Sequence, residues 1–423
     1  MRTHSKPCCS AGFLGRRMKI LVLNSGSSSQ KACLYGIGET MPDHPPACLW
    51  EGKIEWHGDI AEAAVKNSRG VARGARVTKV ASRAAAVEHL VRSLWSGETQ
   101  AVSTASEIDV VGHRIVHGGP KYAEPVLITP EVKAGIAAMS AFAPLHNRAE
   151  LDGIEIVERL FGAVPQVAAF DTGFHRKMPE ASAVYPGPYE WLMSGIRRYG
   201  FHGINHGYCA ERAAHLLHRD LNSLKLVTCH LGNGCSLAAI HEGHSVDTTM
   251  GFTPLEGLMM GTRSGSVDPG ILTYLMRQGR LKGQEIDDVL NQKSGLLGIS
   301  GISGDMREIL AAMQQGHVRA GLAFDIYVHR LQAGIGAMAA VLGGMDALVF
   351  TGGVGENSPE VRETTCSNLL FLGVSLDQAA NAQPSLDQDI AASDSPVRVL
   401  VIRAQEDWAI AKECWKLAAV PST

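Results

Sequence analysis

Two stretches of this chain share one plan. In "LVLNSGSSSQKACLY", Leu21 to Tyr35, and "VTCHLGNGCSLAAI", Val227 to Ile240, an apolar run enters a turn of small polar residues and a second apolar run returns. Apolar runs of this length bounded by turn residues read as buried strands. Meeting the same unit twice is a weak internal repeat, the trace that a duplicated fold leaves. A third such turn lies in "DALVFTGGVGENSPEVRE", Asp346 to Glu363, where a strand leads through glycines into a helix expected to start near Ser358, with Pro359 in its first turn. The pattern predicts an α/β chain of two similar halves.

Glycine-rich turns at strand ends let backbone N–H groups approach an anion, and hydroxyls there add donors. The segment from Asn24 to Lys31 is not the familiar GxxxxGK[ST] loop, because Gln30 stands where that pattern needs its second glycine. Three turns of this kind in one chain point to a phosphate-bearing nucleotide held between the halves.

Other elements fit the same class. "ACLWEGKIEWHG" (Ala47 to Gly58) and "ARVTKV" (Ala75 to Val80) read as strands, and Ser82 can cap a helix whose Val87, Leu90, Val91 and Leu94 recur on one face. "IDVVGHRIVHGG" (Ile108 to Gly119) and "VPQVAAFDTGFH" (Val164 to His175) are two more apolar runs ending in polar turns.

Composition removes several classes of function. With 423 residues the chain exceeds what one core usually holds, so two domains are expected. A net charge of −3 leaves no electrostatic footprint for nucleic acid or an anionic membrane surface. The most apolar helical stretch, Ala320 to Gly344, carries Asp325, His329 and Arg330, which argues against a membrane span. Nine cysteines without a CxxC pair read as reduced thiols of a cytoplasmic protein. The basic first 17 residues lack the apolar core of a secretory signal and are expected to be a short disordered extension, or the product of a start codon placed upstream of Met18.

Two segments carry chemistry. "IRRYGFHGINH", Ile196 to His206, sets two histidines four apart, but Gly200 and Gly203 argue against a regular helix and no HExxH glutamate is present. Zinc is therefore set aside, which leaves either a loop packed by Tyr199 and Phe201 or an imidazole, neutral or charged, that donates to a phosphate oxygen. "SVDTTMGFTPLEGLMMGTRSGSVDPG", Ser245 to Gly270, has five glycines and three methionines around one arginine, Arg263, with Asp247 and Asp268 in the flanks. That many apolar residues suit a loop folded into a cleft, where the arginine's planar fork can grip a carboxylate or a transferring phosphoryl group. Arg114, in "GHRIVHGG", is a second candidate for the same use, a structural ion pair being the alternative for either arginine.

The motifs "LNSGSSSQK", "GHRIVHGG", "APLHN", "FDTGFH", "RRYGFHG", "HLGNGCS", "SVDTTMGFTPLEGLMMGTRSG", "SGLLGISGISGDMR" and "FTGGVGEN" follow one another in an order that resembles the acetate kinase family over about Met18 to Glu413. The resemblance implies two duplicated actin-like (ribonuclease H-like) domains with an interdomain active-site cleft: residues 18–170 with 403–423, and residues 171–402. It implies reversible in-line transfer of the ATP γ-phosphoryl group to acetate with magnesium, or manganese in its place, in a cytoplasmic homodimer. Carried over by motif, Asn24 and Glu406 would help place the metal, and Lys31 would meet the ATP phosphates. His230, Leu231, Gly232, Asn233 and Gly234, then Asp305, Met306 and Arg307, and Gly353, Val354, Gly355, Glu356 and Asn357 would hold the nucleotide. Arg114 and Arg263 would flank the acyl group, His202 would stabilise the transition state, and Asp171 matches the catalytic aspartate. Val116, Leu145, Phe201 and Pro254 fall where the family forms its methyl pocket.

Charge arguments agree with these roles. Acetate is already an anion, so it needs no general base; the obstacle is bringing two anions together, and cations must offset it. Asp171 is thus expected to orient a partner rather than to remove a proton. The chain departs from the family pattern at Gln30, Arg148, Ile204 and Asn205, and reads "RAQED" near Glu406. A propionate kinase shares these motifs and is the alternative, since one methylene changes discrimination by only about 1–3 kcal/mol. A non-catalytic nucleotide switch would not need both arginines and His202, and a sugar kinase would need a base and a polar pocket.

Overall fold

The computed structural model describes residues 16–26, 29–57, 60–78, 82–141, 144–385 and 387–419; most of the proposed N-terminal extension lies outside them. Contacts divide the chain into two units, Met1–Gly118 with Glu124–Phe170 and Gln405–Thr423, and Gly119–Ala123 with Asp171–Ala404.

In the first unit, "MKILVLNS" forms β1 (Met18–Ser25), whose Ile20 to Val22 are fully buried. It turns back into β2 (Ser29–Ile37) and continues through β3 (Trp50–His57), β4 (Ile60–Asn67) and β5 (Ala72–Thr78) as an antiparallel meander. On its other side β1 pairs in parallel with β6 (Val110–Ile115), which pairs in parallel with β8 (Gln166–Phe170); β7 (Val126–Leu127) closes the edge. The order is β5-β4-β3-β2-β1-β6-β8-β7. β4 gives a weak sequence signal because its small, charged side chains lie largely toward the half-exposed face.

The expected helix spans Arg83–Arg92, and Ser82 Oγ accepts the Ala85 N–H at 3.1 Å. It lays Val87, Leu90 and Val91 on the meander, where they join Leu34, Trp50 and Ile54 in one core. Each fully buried side chain of this size contributes ~1.5–3 kcal/mol.

The second unit repeats the centre of this sheet. β9 (Lys225–Leu231) turns back into β10 (Cys235–His241), which pairs with β11 (His244–Thr248). β9 also pairs in parallel with β12 (Ala347–Thr351), and β12 with β14 (Arg398–Val401), with β13 (Gln388–Asp389) at the edge. The run β3-β2-β1-β6-β8 thus has its counterpart in β11-β10-β9-β12-β14. The sequence repeat corresponds to the β1/β2 and β9/β10 hairpins.

Two local expectations are corrected. Gly203 opens a regular helix, Gly203–Leu217, so that His206 is helical while His202 sits just before it at φ 56°. The turn after β12 is itself one helical turn, Gly352–Asn357, followed by the Pro359–Ser367 helix that Ser358 caps. The methionine-rich loop is folded inward, with Met250, Met259 and Met260 buried. None of the described helices is long and apolar enough to cross a membrane, and the described cysteines are all free.

Candidate active site

In the first unit the ends of β1, β2 and β6 and the start of the Glu406–Ala419 helix gather polar groups. Asn24 Nδ2 donates to Glu406 Oε2 at 3.0 Å and to Asp407 Oδ1 at 2.9 Å. Lys31 lies opposite Asn24 in the β1–β2 ladder. Burial pushes the Asp407 carboxyl above its ordinary range, against the pull of the Asn24 amide and the Lys31 ammonium. Arg114 Nη1 donates to the Ser25 carbonyl at 2.9 Å, which ties β6 to the first turn. Val116 is buried, and its N–H reaches both oxygens of Glu150 at 3.1 and 3.2 Å. Leu145 lies in the first turn of the Pro144–Phe161 helix, and its side chain is outside the description.

The second unit holds a tighter cluster. Asp171 follows β8 directly and is fully buried. Its Oδ2 accepts the His202 N–H at 2.9 Å and its carbonyl accepts the Gly203 N–H at 2.8 Å, so the aspartate fixes the entry to the Gly203–Leu217 helix. Only glycine fits at 203, because an added Cβ would lie 2.3 Å from the Asp171 carbonyl oxygen. Phe201 is buried, and its carbonyl pairs with His175 Nε2 at 3.0 Å. Burial holds the His175 imidazole down at about 4, neutral at ordinary pH.

His202 stacks on His230, their ring centroids 4.0 Å apart. Asn205, one of the departures from the family pattern, is fully buried and donates to His230 Nδ1 at 2.8 Å and to Thr351 Oγ1 at 3.3 Å. Gly234 ends the turn between β9 and β10; a Cβ there would lie 3.3 Å from Arg263 Nη1 and 3.5 Å from His202 Nε2. The imidazole edge and the guanidinium therefore converge on one small-residue turn. Arg263 Nη1 is steadied by the Pro254 carbonyl at 2.8 Å. A guanidinium and an imidazole that approach the same turn are donor types suited to an oxyanion.

The remaining nucleotide candidates are spread over other turns of this unit. Asp305 caps the Met306–Gln314 helix and pairs with Arg307, which is exposed. In the Gly352–Asn357 turn, Glu356 Oε1 accepts backbone N–H groups from Gly352 and Ala404, both at 2.9 Å, and Asn357 Nδ2 donates to the Gly353 carbonyl. Arg362, fully buried, donates to the Gly355 and Glu356 carbonyls at 2.8 and 3.0 Å and to Asn381. Sequence reasoning marked Asn205 only as a departure from the family pattern and missed Arg362, Asp407, Thr228 and Ser236. Only Asp407, adjacent to Glu406, had a local signal.

Two sheets of matching strand order, with arginines and a histidine aimed at glycine-rich turns, define a duplicated α/β protein built to hold phosphate-bearing anions. The Acetokinase family profile matches residues 19–412, and the chain belongs to that family. It is 58% identical over 402 residues to the acetate kinase of Cyanothece sp., covering 95% of this chain and 98% of that one. Among solved structures it resembles the Porphyromonas gingivalis acetate kinase (41% identity, TM-score 0.86, covering 95% and 99% of the two chains). It also resembles a propionate kinase from Francisella tularensis (37% identity, TM-score 0.84, covering 94% and 99%).

Proposed function

We propose that the chain is an acetate kinase, transferring the γ-phosphoryl group of ATP to acetate to give acetyl phosphate and ADP, and the reverse. The observation that carries this reading is the convergence of His202 Nε2 and Arg263 Nη1 on Gly234. The acetate carboxylate attacks phosphorus in line, the bond from phosphorus to the ADP oxygen breaks, and no proton moves. Arg114 and Arg263 offset the charge of the reacting anions, while His202 donates to an equatorial oxygen of the transferring group. Asp171 serves as a positioning residue: its carboxylate holds the His202 backbone. Lys31 and the turns at 230–234, 305–307 and 353–357 are assigned to the nucleotide, and Val116, Leu145, Phe201 and Pro254 to the acetate methyl group.

The family acts on ATP with a divalent metal, which we assign as magnesium. No trio of His, Cys, Asp and Glu that could cage a metal exists among the described residues. Magnesium does not require one, since it commonly takes one or two carboxylates and completes its shell with water and phosphate oxygens. Glu406 and Asp407, held by Asn24 at a helix start, fit that donor chemistry. When bound there, the ion would offset phosphate charge.

The test is ATP- and magnesium-dependent acyl phosphate formation, trapped as the hydroxamate, with acetate, propionate and butyrate. Acetate is expected to give the highest kcat/KM, and Arg263→Ala to lose ~10²-fold or more of it. Propionate winning would make the chain a propionate kinase by the same chemistry, and no acyl phosphate from any acid would overturn the kinase reading. A cytoplasmic homodimer completes the proposal. The Pro269–Arg277 helix supports the dimer by leaving Ile271, Tyr274 and Met276 about half exposed, at 49%, 57% and 52%. Sedimentation at monomer mass across micromolar concentrations would exclude it.

A further inference from the structure

Behind His202 stands a row of fully buried side chains that the assigned reaction does not yet use. His202 Nδ1 lies 2.8 Å from Ser236 Oγ, the same Oγ lies 2.8 Å from His206 Nε2, and His206 Nδ1 lies 2.7 Å from Thr228 Oγ1. Ser236, His206 and Thr228 are all at 0% exposure.

Each hydroxyl and each neutral imidazole carries one hydrogen, so the row can run from Thr228 to His202, run the other way, or have both rings donate to Ser236 Oγ. Burial, with His175 and His230 nearby, holds the His206 imidazole well below its ordinary value, so the ring is neutral. Thr228 decides the direction. Its hydroxyl has no other hydrogen-bond partner among the described residues. If it accepted from His206, its own hydrogen would be buried unpaired, and if both rings donated to Ser236 the serine hydrogen would be, each at a cost of ~1–3 kcal/mol. Thr228 therefore donates to His206 Nδ1, His206 Nε2–H donates to Ser236, and the Ser236 hydroxyl donates to His202 Nδ1. That leaves the hydrogen of a neutral His202 on Nε2, the nitrogen that faces Gly234 beside Arg263.

We propose that Thr228, His206 and Ser236 are positioning residues that fix the tautomer of His202, so that its neutral ring presents Nε2–H to the oxygen of the transferring phosphoryl group. The last clause rests on the function proposed above; the tautomer does not. The consequence is a donor that survives deprotonation of the ring. Either charge state of His202 carries a hydrogen on Nε2, and catalysis need not fall as the ring loses its charge. The titratable and charged groups facing His202 include Asp171 at its backbone N–H, His230 stacked on the ring, His206 behind Ser236, and Arg263 at the same Gly234 turn.

The test begins with two-bond ¹H–¹⁵N correlation spectra of histidine-labelled full-length protein at pH 8, with His202→Gln and His206→Gln to assign the signals. Nε2–H on both rings is expected; Nδ1–H on either would overturn the proposal, and no variant has to fold for that comparison beyond those used for assignment. The second arm compares Ser236→Ala with Ser236→Thr, which keeps the hydroxyl. In Ser236→Ala, kcat at pH 8.5 should fall about five- to tenfold with little change in either KM. That is less than the ~10²–10³ for deleting a donor outright, because the freed ring still visits the Nε2–H form. Ser236→Thr should restore wild-type kcat. A loss that Ser236→Thr does not restore, or one that falls equally on kcat and both KM values, would mean a merely structural role and would also overturn the proposal. Spectra as expected in wild type, with kcat of Ser236→Ala unchanged at every pH, would keep the tautomer row and remove His202 from the chemistry instead.

Discussion

Asp171 shows how much a single carboxylate can do without exchanging a proton. Its side chain and its carbonyl receive the first two N–H groups at the mouth of the Gly203–Leu217 helix, and this holds His202 at φ 56°, a conformation a non-glycine residue seldom adopts unaided. An amide oxygen can accept the same bond. Asp171→Asn is therefore expected to keep clearly more kcat than Asp171→Ala, which should lose ~10²-fold through misplacement of the imidazole. Steady-state kinetics decides it: equal losses would show that the charge, rather than the hydrogen bond, is what matters. Asn205 makes a related point. It departs from the family pattern in sequence, yet the structure gives it a defined use in holding His230 through Nδ1.

Among the elements, the short Gly352–Asn357 helical turn is stitched from outside more than from within. Arg362 reaches from the following helix to two of its carbonyls, and burial lowers the guanidinium to about 10, still charged at ordinary pH. Because that contact shapes a turn assigned to the nucleotide, Arg362→Met should raise KM for ATP about tenfold while KM for acetate stays within about twofold. A factor of ten corresponds to ~1.4 kcal/mol, the scale of one charge-assisted hydrogen bond. Measuring both constants on a variant that retains its thermal transition is the check; parallel increases would point to general loosening. The helix–strand contacts follow a simple rule of faces. In the β9–β10 ladder His230 pairs with Ser236 and Thr228 with Ala238, so Thr228, His230 and Ser236 share one face of the sheet. His202 and His206, four apart at a helix start, meet that face, which is why the row behind His202 can form at all.

For the whole molecule, both units carry histidines that burial keeps neutral. The imidazoles of His113 and His117 in the first unit and His175 in the second are each held at about 4, and that of His206 lies well below its ordinary value. Their folded pKa lies below the unfolded value near 6.5, so in between the unfolded chain binds more protons and stability rises with pH. The contribution is fully present above about pH 6.5 and is lost as pH falls toward 4. Each such ring should remove about 1–2 kcal/mol between pH 7 and 5, an upper range because partial opening relieves burial. Urea denaturation at both pH values checks this, and midpoints unchanged down to pH 5 would show that the rings protonate without unfolding. The two sheets also show what duplication preserves: the hairpin and the two parallel pairings behind it recur, while β4 and β5 extend only the first sheet.

By itself the sequence determined the α/β class, the repeated hairpin, the Ser82 and Ser358 caps and the turns where glycine lets backbone come close, because those features depend on residues within a few positions of one another. Motif order across nearly the whole chain determined the family. Tertiary structure alone decided that Asp171 grips the His202 backbone, that Arg362 staples the turn after β12, that Asp407 shares Asn24 with Glu406, and that Ser236 and Thr228 stand behind the histidines. Those contacts join residues brought together by strand register and sheet face. A shift of one residue in the β9–β10 pairing would turn Ser236 away from His202, and that register is set by burying both strands rather than by any local signal.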